Sequence, residues 1–539
     1  MHKLTIHVQG SFPIEWSRTP LRVGVLALFV GLSLTQTVVA QPPPSLNAAR
    51  QLETELVDVI ARTEKSIVSI ARSVRIPIDD IPIEARPLER RGIIGLETTA
   101  DFVPTDFGSG VIIARQDKPG STERFVLTNS HVVLGSRRQG DWRPPAGAVR
   151  EAPTIYVRLA SRHTVSATLI AADPRSDLAI LKLNLPEQRV PITAAPPLSF
   201  AVGVEPKKGQ FVIALGNPYA IARDGSASVS TGIISNISRK PEPPGQNLDD
   251  PIVEEITVHH FGTLLQVDTR LNLGTSGGAL VNLDGQLIGL TTSLAALQGY
   301  EKSAGFAIPM DANVQRIIRS LLEGYEVEYG FLGIRPGLAS PEMLDQYRDL
   351  TSQATAARAL RVARYSPADR AGMKDGDLIL AVNDEPVYTD IDLIRAVGLL
   401  GPDVDARLQV LRPVARSTVE LTVRLGKWPV YDDSLIYATQ SRYPPWRGIR
   451  CDYATARRKY LPSNALEEMR RGVVVTSVEP GSPAAAAGLV EGVFVTAIDN
   501  TPVQSPKDLM QAAESREQQP VILHLDDGQS LRVAPGPPR

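Results

Sequence analysis

The stretch LNLGTSGGAL, residues 271–280, decides how this chain is read. Ser276 sits in a glycine-rich turn, with Gly274 before it and Gly277 and Gly278 after it. Glycine reaches backbone angles closed to other residues and lets the chain approach a ligand closely. A serine held in such a turn can present its hydroxyl outward, and the N–H groups of Gly274 and Ser276 can converge on one point, as an oxyanion hole requires. The same residues also describe a plain turn, because Gly and Ser are common in turns for local reasons. The two readings are separated by the rest of the chain.

A serine nucleophile needs a base to take its proton, and the base needs an orienting carboxylate. Of the 7 histidines, His2 and His7 fall in the first residues of the chain. His131, in FVLTNSHVV, follows a hydrophobic strand and opens an irregular segment, which places its ring at the rim of a barrel. His163 lies in a polar strand, His259 and His260 lie beside an insertion, and His524 is outside the β-rich region. None has metal-ligand spacing to other His, Cys or carboxylate groups, so neither a zinc site nor another metal site is expected. Asp177, in DPRSDLAILKL, stands at the entrance of an apolar strand, where a half-buried carboxylate needs a partner. Asp173, before Pro174, reads as a turn residue.

Composition narrows the class. The chain has 539 residues, 43% hydrophobic and 22% charged, an ordinary globular balance with room for three or four domains. A net charge of −2 gives no basic footprint for nucleic acid. Arg18 and Arg22 precede the apolar run VGVLALFVGLSL (23–34), and TQTVVA ends on Val38 and Ala40, a small-residue cleavage site. Residues 1–40 therefore read as an export signal, with an uncleaved membrane anchor as the alternative. The single cysteine, Cys451, excludes an internal disulfide framework and reads as incidental.

Helical spacing marks the first part of residues 46–72. From about 107 to 310, short β-rich runs punctuated by Gly, Pro, Asp and Asn predict a barrel or sandwich. Residues 137–153 and 238–250 read as exposed insertions. Further on, SPADRAGMKDGDLILAVNDEPV (366–387) recurs without gaps 116 residues later as SPAAAAGLVEGVFVTAIDNTPV (482–503), with nine of twenty-two positions identical. This predicts two copies of one small domain joined by a connector near 427–445.

TNSHVV, DLAILKL and GTSGGALVN occur in the order His, Asp, Ser, and this arrangement resembles the trypsin-fold serine proteases. FGSGVII, ALGNPYAI, STGIIS, QLIGL and GFAIP extend the likeness to the HtrA (Deg) family of exported proteases. GFLGIRPG (330–337) resembles the carboxylate-binding loop of a PDZ domain.

The resemblance implies a mainly β chain. Its parts would be a signal (1–40), a trypsin-like double β-barrel protease domain (41–327), a first α+β PDZ domain (328–427), a linker (428–445) and a second PDZ domain (446–535). It implies His131 as general base, Asp177 as its orienter and Ser276 as nucleophile, with the amides of Gly274 and Ser276 as oxyanion hole and no cofactor. Leu271 would line a primary pocket for small or medium apolar side chains, and Arg270 either alters that pocket or faces solvent. Leu332, Gly333 and Ile334 fit the PDZ peptide-binding pattern. Gly448 and Ile449 offer it in the second copy, although Arg447 replaces an apolar residue and Val493 replaces the aspartate that Asp377 supplies in the first. The expected partners are unfolded or damaged protein substrates and a homotrimer or larger assembly, located in the periplasm or cell envelope, with membrane anchoring if the signal is retained. The rival readings are a protease-fold scaffold or a chaperone that binds clients without cleavage.

Overall fold

Alternating burial along β5 (Thr164–Asp173) gives one face to a core and the other to solvent, and its last residues are buried throughout. In the computed structural model, which describes residues 44–73, 106–115, 121–135, 154–186, 189–217, 226–239, 257–271, 274–292, 305–430, 436–465 and 467–536, this strand closes a barrel. The signal read at 1–40, the insertion at 137–153 and nearly all of that at 238–250 lie outside the described residues. The other strands of this barrel are β1 (Ile67–Ser73), β2 (Asp106–Ile113), β3 (Phe125–Thr128), β4 (Thr154–Arg158) and β6 (Leu178–Leu183). They run in the order β5-β4-β1-β2-β3-β6, and β6 pairs back onto β5.

A second closed barrel follows: β7 (Phe211–Gly216), β8 (Ser228–Arg239), β9 (Leu264–Val267), β10 (Ala279–Val281), β11 (Leu287–Thr292) and β12 (Gly305–Pro309). Each barrel has its own core. A third cluster joins Val111, Leu127 and Ile180 of the first to Leu215, Leu290 and Ile308 of the second, packing the barrels against each other. The helix Ala312–Leu322, capped by the Asp311 side chain on the Val314 N–H, adds Val314, Ile317, Ile318 and Leu321 to this cluster. Residues 53–539 form one unit; of residues 1–52, the described part is the start of helix Pro44–Thr63.

The repeated segments fold alike in detail. Ser366 and Ser482 each cap a short helix through the N–H three residues on. Thr389 with Asp392, and Ser505 with Asp508, form capping boxes for the helices Asp390–Leu400 and Pro506–Glu514. Bulges fall between Ile379 and Ala381 in one copy and between Val495 and Ala497 in the other, again 116 residues apart. The expected fold class, a mainly β double barrel followed by two α+β domains, is thus the architecture observed. The connector is more than a spacer: Tyr437–Ala438 pairs with Ala172 and Ala171 as an additional strand on β5.

Candidate active site

Barrel one supplies the histidine and the aspartate; the turn before β10 in barrel two supplies the serine. His131 lies in a short helix, Ser130–Leu134, rather than in an irregular segment, because Thr128 ends β3 and the chain turns at once at Asn129. Asp177 sits immediately before β6 with φ +52°, a conformation that aspartate tolerates better than most residues. Its carbonyl accepts the Ser130 N–H (3.1 Å) and the Asn129 Nδ2–H (3.0 Å), so the turn is tied to the helix carrying the histidine.

The carboxylate then meets the imidazole. Asp177 Oδ1 and Oδ2 lie 2.9 and 3.0 Å from His131 Nδ1, and Oδ1 also accepts the His131 backbone N–H at 3.1 Å. Asp177 is buried, whereas the His131 side chain keeps 20% of its surface exposed. Burial pushes the His131 pKa down, but the charge and hydrogen bond of Asp177 outweigh it and hold the pKa above the ordinary imidazole value. This pairing selects the Nδ1–H tautomer and leaves Nε2 as the basic nitrogen.

The serine turn is held from both barrels. Ser109, on β2, donates its backbone N–H to the Ser276 carbonyl (2.8 Å) and its hydroxyl to the Gly274 carbonyl (2.7 Å). Thr128 donates to the Ser109 carbonyl at 2.7 Å, which links the strand leading to His131 with the turn carrying Ser276. From β11, the Thr291 hydroxyl donates to the Thr275 carbonyl (2.6 Å), and the Thr291 carbonyl accepts the Gly277 N–H (2.8 Å). Because the peptide is trans, the Ser276 N–H points to the side opposite the Thr275 carbonyl and away from Thr291. Gly277 is obligatory here: φ is +84°, and a Cβ would fall 2.1 Å from the Ser109 carbonyl oxygen.

Beside the serine turn lies a cleft of about 220 Å³ lined by Gly216, Val229, Arg270, Leu271, Thr275 and Thr291 among others. Leu271 reaches over Gly305 on the cleft wall, and Arg270 is at once solvent-exposed and part of the lining.

Several residues at this site are not distinguished by sequence reasoning. Thr292 donates to Asp177 Oδ2 (3.3 Å). His259, read only as flanking an insertion, is buried behind the aspartate turn, its Nε2 3.0 Å from the Ser176 carbonyl and its Nδ1 2.7 Å from the Thr263 hydroxyl. Asp173 is no simple turn residue; it is a buried hub for Arg175, Ser176 and Tyr329. A Ser or Thr within a β-rich run carries no local mark of such long-range work.

The two PDZ-like loops differ. In the first, Leu332 is buried and Gly333 takes φ +81°; their carbonyls accept the N–H groups of Ala368 and Ala363, each at 3.0 Å. In the second, Arg447 and Gly448 both have positive φ, and Trp446 and Ile449 exchange hydrogen bonds of 2.9 and 2.8 Å across a two-residue turn. The Ile449 N–H thus bonds within its own loop. The Arg447 side chain is turned inward onto the carbonyls of Val533 (3.0 Å), Ala534 (3.0 Å) and Gln519 (2.6 Å). Asp377 of the first copy pairs with Arg412 at 3.0 Å, whereas Val493 packs against the apolar core of the second.

A histidine–aspartate pair on the first of two β-barrels and a glycine-framed serine turn on the second, followed by two PDZ-type domains, are the features of a trypsin-fold serine protease with peptide-binding modules. The chain matches the trypsin-like peptidase domain family over residues 108–290 and the PDZ domain family over 358–412 and 474–526. It is 30% identical over 412 residues to a probable periplasmic serine endoprotease DegP-like of Chlamydia pneumoniae, covering 76% of this chain and 73% of that one. It is 27% identical to the periplasmic serine endoprotease DegP of Salmonella typhimurium (strain LT2), covering 94% of this chain and 97% of the relative. Among solved structures, an HtrA-type protease AlgW with decapeptide is similar at 24% identity, covering 69% of this chain and 99% of that chain, with a TM-score of 0.45. The chain belongs to the HtrA/Deg family of serine endoproteases. It is a serine endopeptidase acting on peptide or protein substrates, which sets aside the scaffold and chaperone-only readings.

Among the described residues, no group of three or more His, Cys, Asp and Glu side chains is arranged to hold a metal ion, and no helix is long and apolar enough to cross a membrane.

Proposed function

We propose that Ser276 attacks the scissile carbonyl, that His131 Nε2 takes its proton and later returns it to the leaving amine, and that Asp177 orients the imidazole and stabilises the imidazolium. The N–H groups of Gly274 and Ser276 hold the oxyanion. The observation that carries this reading is the contact of Asp177 with His131 Nδ1 at 2.9 and 3.0 Å, with the strand leading to His131 tied to the serine turn through Thr128 and Ser109. The cleft against Leu271 receives small or medium apolar side chains, with Arg270 at its mouth. The first PDZ domain captures chain ends or extended segments at Leu332, Gly333 and Ile334 by strand addition.

The substrates are unfolded or damaged proteins of the cell envelope, because only an unfolded segment can enter the cleft as an extended strand. The periplasmic names of the relatives support export to that compartment. In this reading the protein assembles as a homotrimer or larger oligomer, and it is attached to the membrane if residues 1–40 are retained. The test is casein cleavage together with fluorophosphonate labelling of the wild type and of Ser276→Ala. Loss of both in the variant supports the reading; retention of either removes it.

A further inference from the structure

The turn carrying Asp177 is not secured by its own barrel alone. Asp173 Oδ1 accepts Arg175 Nε (3.0 Å), while Oδ2 accepts the Ser176 N–H (3.0 Å), the Ser176 hydroxyl (2.8 Å) and the Tyr329 hydroxyl (2.5 Å). Arg175 also donates to the Val327 carbonyl (2.5 Å), lies over the Tyr329 ring at 4.6 Å and faces Glu326 at 3.7 Å. Glu326 is gripped from the second PDZ domain, where Arg457 reaches its two oxygens at 3.0 and 2.6 Å. Lys427, only 2% exposed, approaches Glu326 (3.2 Å), Glu328 (3.3 Å) and Asp452 (2.9 Å), and Arg442 of the connector faces Glu328 at 3.3 Å.

Glu326 therefore stands among three cations: the Lys427 ammonium at 3.2 Å and two guanidinium groups, one from each end of the chain's architecture. The forked contact is the stronger geometry and belongs to Arg457. It keeps Glu326 at the edge of Arg175's reach and leaves Arg175 to Asp173. If Arg457 is withdrawn, Lys427 remains on one oxygen of Glu326 and the oxygen that the fork released draws Arg175 closer in this buried setting. Asp173 then loses its cationic partner, and the 173–177 turn loses the bonds that fix its shape.

We propose that Asp173 and Arg175 are positioning residues for the Asp177–His131 pair, and that Arg457 of the second PDZ domain sets them through Glu326. Docking of that domain is read out at the catalytic turn by a change of partner at one carboxylate. The inference rests on the triad reading given above.

The test uses the full chain, a chromogenic peptide substrate, and the pH profile of kcat/KM alongside kcat, KM and thermal unfolding. For Arg457→Gln, kcat falls about three- to tenfold while KM stays within about twofold. The acid limb moves down by about half a pH unit, because a displaced Asp177 no longer raises the His131 pKa fully. The double variant Glu326→Gln/Arg457→Gln returns the limb to its wild-type position, since no competing charge remains. Arg457→Lys, which keeps the charge but not the fork, gives a smaller shift in the same direction and decides the matter if Arg457→Gln does not fold. An acid limb that coincides with the wild type in whichever Arg457 variant folds overturns the proposal, whatever happens to kcat. Wild-type activity in His131→Ala would instead strike the triad reading itself.

Discussion

Thr292 donates its hydroxyl to Asp177 Oδ2 across 3.3 Å, from the strand end whose preceding residue, Thr291, grips the serine turn. Two neighbouring threonines of barrel two thus hold the aspartate of barrel one and the serine turn of their own barrel. Thr292→Val keeps the shape of the side chain and removes the donor. We expect kcat/KM to fall about three- to tenfold, the size of one ordinary hydrogen bond, as suits a contact as long as 3.3 Å, with KM nearly constant. An unchanged kcat/KM in steady-state assays would remove Thr292 from the list of supports.

Ser109 serves both barrels, donating to the Gly274 carbonyl at 2.7 Å and accepting the Asn217 N–H at 2.8 Å. Ser109→Ala strands a buried acceptor and a buried donor. The expected cost is about 1–3 kcal/mol of folding stability, with a loss of kcat larger than that of Thr292→Val, measured by denaturant unfolding and by turnover.

Gly277→Ala places a methyl group within 2.1 Å of the Ser109 carbonyl oxygen at φ +84°. The backbone strain alone is about 1–2 kcal/mol, and the clash displaces the serine turn from β2. The variant should lose fluorophosphonate labelling, and wild-type labelling would contradict the geometry.

Activity and the His131 contribution to stability should move in opposite directions with pH. His131 has a folded-state pKa above the ordinary 6.5, so protonation is favoured in the native state. Its contribution to folding stability is fully present below pH 6.5 and is lost as pH rises through the raised native value. A protonated base cannot accept the serine proton, so kcat/KM falls over the same window as pH drops. The difference in melting temperature between the wild type and Asp177→Asn, followed with kcat/KM from pH 5.5 to about 8.5, tests this; the difference should shrink as pH rises, and a difference that stays constant with pH would contradict it.

Peptide capture should have one site per chain. The first loop carries Leu332 and Gly333 in the expected pattern, whereas in the second the Ile449 N–H is bonded to Trp446 at 2.8 Å and Arg447 is folded inward. Titration calorimetry with a peptide ending in an apolar residue should give a stoichiometry near one. A value near two would contradict this.

The sequence reveals residues whose chemistry needs a local frame. Ser276 is marked by its glycines, His131 and Asp177 by polar residues flanking apolar strands, and the paired domains by a shared segment 116 residues apart. What it conceals acts over distance. Ser109 reaches Gly274 across 165 residues and Thr292 reaches Asp177 across 115. Asp173 looks like any residue before proline, and only the approach of Arg175 and of Tyr329, 156 residues away, makes it a hub. His259 likewise looks incidental until the fold sets it 3.0 Å from the Ser176 carbonyl.

The return of the connector to β5 changes how this chain can be cut. A truncation ending after Lys427 removes Tyr437–Ala438 from Ala171 and Ala172, opening a sheet edge that invites pairing with other molecules. It also takes Asp452 and Arg457 away from Lys427 and Glu326, leaving one lysine to balance Glu326 and Glu328 at the new boundary. A shortened protein that clumps or works poorly would thus report damage at the new boundary rather than the missing module's job, and single substitutions in the whole chain are the sounder instrument.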